Sequence, residues 1–200
     1  AGFEFHYNGS GLVKANITTT ATETFAVDVD GTVSYVSHNS KTGSIILAKD
    51  LPEGTHTIKV YKTKEAMTGL AQLNYMIYDE NAVLTPMEYD YKFLVIGASS
   101  TCGNQMDSET GNENGYLAFP SIVSRAYNAT WQQISVSGRG CTQGTLGESG
   151  WTFSQENQLK DLYKYQSWFR DKETLYDPAS YVPDVIITNF NNDFGESALK

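Results

Sequence analysis

A serine sits where a buried strand runs out. In Phe93-Leu-Val-Ile-Gly-Ala-Ser-Ser-Thr-Cys-Gly103, four apolar residues lead directly into Gly97-Ala98-Ser99. Such a run reads as a strand covered on both faces, and the small residues after it as a tight turn. The Ser99 hydroxyl then lies at the strand's carboxyl end, the edge at which open α/β sheets hold their ligands. Attack by a serine on an acyl carbon needs a base, usually histidine, and donors for the oxyanion. Donors are available downstream, in Ser137-Gly-Arg-Gly140 and in Asn189 to Asp193. The histidines, His6, His38 and His56, all lie upstream in a segment of different character. His6 falls on an alternating strand and His56 opens another, so surface or core imidazoles are the simpler account of them.

The elements that must position these residues are legible from residue 92 onward. After the strand at 93–97 comes a polar Gly- and Asn-rich loop from Gly103 to Gly115. Phe119, Ile122, Val123 and Ala126 then fall at i, i+3, i+4 and i+7, predicting an amphipathic helix with Pro120 in its first turn. A second strand, Trp131 to Val136, ends at Ser137-Gly-Arg-Gly140. Leu159, Leu162 and Tyr163 set a second helical pattern, and a third strand, Val185 to Thr188, ends at Asn189 to Asp193. Strand–helix–strand–helix–strand predicts a parallel sheet with helices on its faces. Parallel topology carries Ser99, Gly138 and Asn192 to one sheet edge, where a serine, a backbone amide and a side-chain amide could attack an acyl carbon and hold the oxyanion.

The first 90 residues read as β structure. Phe3, Phe5 and Tyr7 alternate with polar residues, as do Phe25, Val27 and Val29, then Val33 and Tyr35, Ile58 and Val60, and Leu73, Tyr75 and Ile77. Asn8-Gly9, Asp30-Gly31, Asn39 to Gly43 and Pro52-Glu-Gly54 are the expected turns, and Asp30-Gly31 between two alternating runs predicts a tight hairpin. The expected fold class is therefore β followed by α/β, with residues 1–90 a β-sandwich of jelly-roll type and residues 91–200 a parallel-sheet domain. Pro86 and Tyr89-Asp-Tyr91 mark the boundary.

Composition excludes several function classes. Fourteen Lys and Arg against 23 Asp and Glu give a net charge of −9, with no basic patch to neutralise nucleic-acid phosphates or an anionic membrane surface. No apolar run approaches the ~20 residues that span a bilayer. No His/Cys/Asp cluster stands at ligand spacing, so neither metal nor cofactor is expected. Hydrophobic residues make up 40% of the chain and aromatic ones 12%, enough for a packed core.

On these residues the chain resembles the SGNH (GDSL-type) hydrolases, and among them secreted esterases of carbohydrate esterase family 2. Gly97-Ala-Ser-Ser-Thr-Cys-Gly103 is similar to the family block Gly-Asp-Ser-Ile-Thr-Cys-Gly, which implies Ser99 as nucleophile. Ser137-Gly-Arg-Gly140 resembles the second block and implies the Gly138 amide as an oxyanion donor. Pro183-Asp-Val-Ile-Ile-Thr-Asn-Phe-Asn-Asn-Asp193 resembles the third block, usually Gly-Thr-Asn-Asp, and assigns the side-chain donor to Asn192. Upstream, Asp28-Val-Asp-Gly31, Leu51-Pro-Glu-Gly-Thr-His56 and Tyr61-Lys-Thr-Lys-Glu65 are similar to the β-sandwich that precedes the catalytic domain in this family. The resemblance implies a secreted enzyme that removes acetyl groups from a polysaccharide or glycan through a serine acyl-enzyme.

Three departures stand out. Ala98 replaces an aspartate, Phe190 replaces a glycine, and the family's histidine comes from a block well beyond the third motif, whereas this sequence ends at Lys200. The SGNH domain is therefore expected to be incomplete, with the base and the strands beside 185–188 brought by a C-terminal complementing segment, a second chain or a neighbouring subunit. Loss of the same features also fits a rival, a catalytically degenerate extracellular structural or glycan-binding assembly protein. Asp193, beside Asn192, is read as a loop stabiliser. Trp151, Phe153, Trp168 and Phe169 are read as ordinary packing ahead of a sugar-stacking surface. If the first two motif loops converge, Cys102 and Cys141 are close enough for a disulfide, the alternative being two partly buried free thiols. Asn8, Asn16 and Asn128 open sequons for N-glycosylation.

Overall fold

The computed structural model describes residues 1–39, 41–108, 113–142, 144–145, 153–154, 158–165 and 173–189. Two compact units divide the chain, Ala1–Glu88 and Tyr89–Lys200. Sheet predominates and helices are few.

The alternating runs of the first unit form one antiparallel network. Its strands are β1 (Gly2–Thr19), β2 (Glu23–Val29), β3 (Thr32–His38), β4 (Thr42–Lys62), β5 (Ala71–Ile77) and β6 (Val83–Pro86). The order is β3-β2-β4-β1-β5, and β6 also pairs with β1. Two-residue periodicity puts Phe5, Tyr7, Val13, Ala15 and Ile17 of β1 on the covered face. They meet Phe25 and Val27 of β2 and Ile45, Leu47, Ile58 and Val60 of β4 in a single core.

Asp30-Gly31 makes the hairpin its composition predicts. Val29 pairs with Thr32, and Asp30 and Gly31 both take positive φ, 53° and 86°, as the tight hairpin turn requires. The Asp28 carboxylate accepts from the Gly31 amide at 2.8 Å. By contrast, Asn8-Gly9 and Pro52-Glu-Gly54 are not turns, because β1 and β4 run straight through them. The β1–β4 ladder shifts register between Gly9 and Gly11, Gly11 and Val13, and Val13 and Lys14, with β4 taking the extra residue each time. Gly11 and Asp50, with φ of 82° and 54°, absorb the bulges. Residues that permit a turn also permit a bulge, and pairing of two long strands on both sides decided between them.

In the second unit, β7 (Tyr91–Gly97), β8 (Ala129–Ser135) and β11 (Val185–Asn189) form a parallel sheet of order β11-β7-β8. Phe93, Val95 and Ala129 are its buried centre, with Phe119, Val123, Trp131 and Ile187 packed against them. Helix α1 (Ser99–Cys102) follows β7 and α2 (Phe119–Ala126) precedes β8. A two-stranded ribbon, β9 (Gly144–Thr145) with β10 (Phe153–Ser154), precedes α3 (Leu159–Leu162).

Helix α2 departs from its predicted stripe. Phe119 and Val123 do reach the sheet core, but Ile122 is 47% exposed and the buried positions are Pro120, Ser121 and Ser124. Small serines let the helix lie close to its neighbours on a face that hydrophobic periodicity does not mark. Leu159 and Leu162 of α3 are buried as predicted, while Tyr163 is exposed. The third strand is likewise not buried on both faces. Among the described residues β11 pairs only with β7, and Val185 and Ile186 are 42% and 59% exposed.

Candidate active site

Three strand ends line up at one edge. Ser135 of β8 is paired with Gly97 of β7, and Gly97 is paired on its other side with Asn189 of β11. The chain leaves β7 for β8 on one side and later returns as β11 on the other. The carboxyl end of β7 is thus the point where strand order reverses, the place where open α/β sheets form a ligand crevice. Ser99 stands two residues beyond Gly97 and opens α1.

The tightness of this turn explains its composition. A Cβ on Gly97 would lie 2.0 Å from the Thr101 Oγ1 and 3.1 Å from the Asn189 carbonyl oxygen. The Ala98 carbonyl accepts from the amides of Thr101 and Cys102, both at 3.0 Å, and the Ser99 carbonyl from those of Gly103 and Asn104 at 3.1 and 3.0 Å. Gly103, at φ 91°, ends the helix in the left-handed conformation. Ser99 is half-buried at the start of this braced turn.

Neighbouring segments hold the turn from three sides. The Gln133 side chain on β8 donates to the Thr101 carbonyl at 3.0 Å, and the Cys102 thiol donates to the Ser135 hydroxyl at 3.2 Å. From β11, the Asn189 amide donates to the Ser100 hydroxyl at 3.0 Å. Behind the turn, the fully buried Asn114 donates through its side chain to Asp107 at 3.0 Å and accepts from the Tyr116 amide at 3.0 Å. Its backbone amide donates to the Gly103 carbonyl at 2.9 Å.

The second motif leaves β8 through a turn. The Arg139 amide donates to the Val136 carbonyl at 3.2 Å, with Gly138 at φ 74°, the conformation that the third position of a type II turn demands. Arg139 is buried. The loop is then pinned to α3: the Leu159 amide donates to the Gly140 carbonyl at 2.9 Å and the Lys160 amide to the Cys141 carbonyl at 3.2 Å.

Of the site residues expected from sequence, Ser99 and Gly138 therefore follow adjacent parallel strands at one edge. Asn192 lies outside the described residues, as do Phe190, Asp193, Trp151, Trp168 and Phe169, and of Phe153 only the backbone is described. Cys102 and Cys141 are free thiols, the first buried and the second half-buried. Asn8 and Asn128 are exposed, whereas Asn16 is buried and both ends of its amide are engaged. It accepts from Asn74 at 2.9 Å and donates to Ser44 at 3.3 Å. Sequence reasoning missed Gln133, Asn114, Gln158 and the Asn189 contact. Only Gln158 had a local signal, standing three residues before Asp161 in a capping-box arrangement.

All three histidines are engaged within the first unit. Nε2 of the buried His38 lies 2.8 Å from the Lys41 carbonyl and 3.1 Å from that of Ile17. His6 Nδ1 lies 3.2 Å from the Thr57 hydroxyl, and His56 bridges Asp30 at 2.7 Å and the Pro52 carbonyl at 2.9 Å. The Asp30 hydrogen bond raises the His56 pKa, with the Pro52 carbonyl adding to it against the effect of burial. Among the described residues no group of three or more His, Cys, Asp or Glu could hold a metal ion, and no helix is long and apolar enough to cross a membrane.

The chain is similar to known proteins in sequence and in fold. Residues 1–87 match the family described as "Carbohydrate esterase 2 N-terminal". The chain is 31% identical over 183 residues to the cellulase/esterase CelE of Acetivibrio thermocellus, covering 86% of this chain and 22% of CelE. It is 25% identical over 149 residues to the acetylxylan esterase/glucomannan deacetylase of Cellvibrio japonicus, covering 70% of this chain and 40% of that protein. A family two carbohydrate esterase from Clostridium thermocellum, solved in complex with cellohexaose, superposes with a TM-score of 0.79 at 28% identity. That match covers 96% of this chain and 60% of the solved one. The chain thus spans less than two thirds of the length of each of these relatives, and its residues 1–87 belong to the carbohydrate esterase 2 N-terminal family.

Proposed function

We propose that this chain carries the serine-bearing part of a secreted carbohydrate esterase that removes acetyl groups from a polysaccharide. The observation that carries this is Ser99 at the carboxyl end of β7, where the strand order reverses, with Gly138 following the adjacent strand. In the proposed reaction, the Ser99 hydroxyl attacks the acetyl carbonyl carbon and passes its proton to a histidine. The Gly138 amide and Asn192 side chain hold the oxyanion. As the tetrahedral intermediate collapses, the ester C–O bond breaks and the sugar oxygen takes that proton. Water then attacks the acyl-enzyme, giving acetate and free serine.

The base belongs, in this proposal, to a segment outside these 200 residues, which also extends the sheet beyond β11. Support comes from the histidines' engagement within the first unit and from the exposed Val185 and Ile186. The jelly-roll form of the first unit and the SGNH form of the second are part of the same proposal. Secretion carries two corollaries: glycans at Asn8 and Asn128 if the host attaches them, and a Cys102–Cys141 bridge once both thiols meet an oxidising medium.

The test uses the full-length polypeptide or complex that contains this chain. It should release acetate from acetylated xylan or glucomannan, the substrates named for the Cellvibrio relative, and be labelled at Ser99 by a fluorophosphonate. Ser99→Ala should abolish both. Acetate release that persists in Ser99→Ala would overturn the assignment.

A further inference from the structure

Gln158 is fully buried, yet it lies in neither sheet nor motif. Its side chain reaches eighteen residues back, where Oε1 accepts from the Gly140 amide at 3.0 Å. The amide's orientation is fixed by this partner, because a backbone N–H can only donate. Its own backbone is fixed as well. Gln158 is the N-cap of α3, and Asp161 closes a reciprocal capping box with it, its carboxylate accepting from the Gln158 amide at 3.3 Å.

The space around this contact is full. A Cβ on Gly144 would stand 2.4 Å from the Gly138 carbonyl oxygen, 2.5 Å from Gln158 Oε1 and 2.7 Å from the Gly140 nitrogen. Gly138, Gly140, Gly144 and Gln158 therefore form one packed knot. The peptide groups on both sides of Arg139 lie within it, and the second of them is bonded to Gln158 through the Gly140 amide. Buried amide side chains are costly unless their bonds are made. This one is committed to backbone that hydrophobic packing alone would leave free to choose among glycine conformations.

We infer that Gln158 is a positioning residue for the acyl-transfer step, fixing the loop that carries the Gly138 amide through its bond to Gly140. The inference rests on the esterase assignment above. Gln158 touches no reacting atom, and its effect is to hold a donor that is useful only when charge develops on the substrate oxygen. Its loss should therefore appear in kcat and leave KM nearly unchanged.

The experiment compares Gln158→Met, which keeps size and removes the acceptor, with Gln158→Glu, which keeps an acceptor oxygen. A third variant, Asp161→Ala, removes the carboxylate half of the capping box and leaves the Gly140 contact. All are made in the full-length esterase, with acetyl-ester kinetics and melting temperature measured on each. A misplaced oxyanion donor predicts a loss in kcat of about 10- to 100-fold for Gln158→Met, with KM within about twofold. Gln158→Glu should recover most of that loss, and Asp161→Ala should lower the melting temperature at nearly full kcat. If Gln158→Met does not accumulate folded, Gln158→Asn, which retracts the amide by one methylene, replaces it with the same expected outcome. Wild-type kcat in the Met or Asn variant, or an equal kcat loss in Asp161→Ala, overturns the inference. Ser99→Ala in parallel separates the two claims. Hydrolysis lost there but untouched in Gln158→Met refutes the role of Gln158 alone, whereas hydrolysis surviving Ser99→Ala removes the esterase assignment and this role with it.

Discussion

Asn189, the last residue of β11, donates its side-chain amide to the hydroxyl of Ser100 at 3.0 Å. The end of the third strand thereby holds the residue next to Ser99, across a sequence separation of 89. Replacing Asn189 by Ala should cost about 1 kcal/mol, the usual net worth of one such bond. A shift of the urea midpoint of that order checks it. Ser100→Ala should cost about as much, and the double variant little more than either single one, because both remove the same interaction.

Gly97 admits no side chain. Gly97→Ala would drive a methyl into Thr101 and toward the Asn189 carbonyl, with an expected loss of about 1–3 kcal/mol from overpacking. Adding Thr101→Ala removes the nearer atom, the hydroxyl, and should restore part of the loss. The urea midpoint of the double variant checks this, and no recovery would mean that the atoms left in place, the Cβ of residue 101 and the Asn189 carbonyl, set the limit.

The turn at Ser99 was legible because an uninterrupted apolar run followed by small residues has one simple structural meaning. The parallel sheet followed from the spacing of three such strand ends. Gln158 and Asn189 were not legible in their roles, since a side chain bonding to a distant segment leaves no periodic trace. Asn8-Gly9 and Pro52-Glu-Gly54 were misread for a different reason. Local composition reports only what backbone angles a segment tolerates, and the long β1–β4 pairing chose bulges over turns. Ile122 shows the converse limit, an apolar residue at helical spacing that the fold leaves exposed because serines occupy the inner face.

In the first unit, Lys62 and the fully buried Glu23 form an ion pair at 3.0 Å. The ammonium also donates to the carbonyls of Lys64 and Glu65 at 2.7 and 3.0 Å. Removing one partner leaves a buried charge uncompensated, so Lys62→Met should cost about 3–5 kcal/mol. Replacing both, as Lys62→Met with Glu23→Met, should recover most of it, because an apolar pair of similar volume needs no compensation. Denaturant midpoints of the two variants decide the matter, and equal losses would show that the carbonyl contacts, not the ion pair, matter.

His56 gives the first unit a pH dependence with two limbs. Its Nδ1 faces the Asp30 carboxylate at 2.7 Å and its Nε2 the Pro52 carbonyl at 2.9 Å. Both partners only accept, so both ring nitrogens must donate, and the imidazolium is the form that fits. The Tyr7 ring stacks at 6.5 Å, and the Glu53 charge acts in the same sense as Asp30. His56 accordingly titrates above its ordinary value near 6.5. For Asp30, burial pushes upward but is outweighed by the hydrogen bonds from His56 and the Thr57 amide and by the His56 charge, so it titrates below 3.8. A raised histidine stabilises fully below its unfolded pKa, and the contribution disappears as pH rises through the folded one. A lowered aspartate stabilises above its unfolded pKa, and the contribution disappears as pH falls through the folded one. Both hold together between about pH 4 and about pH 6.5. The stability difference between wild type and His56→Gln should therefore be largest in that window and shrink on either side, most visibly as pH rises past 6.5. Urea midpoints measured from pH 3 to pH 9, as about seven points spanning both ordinary pKa values, would show it. A difference constant across the whole range would mean that His56 contributes only by packing.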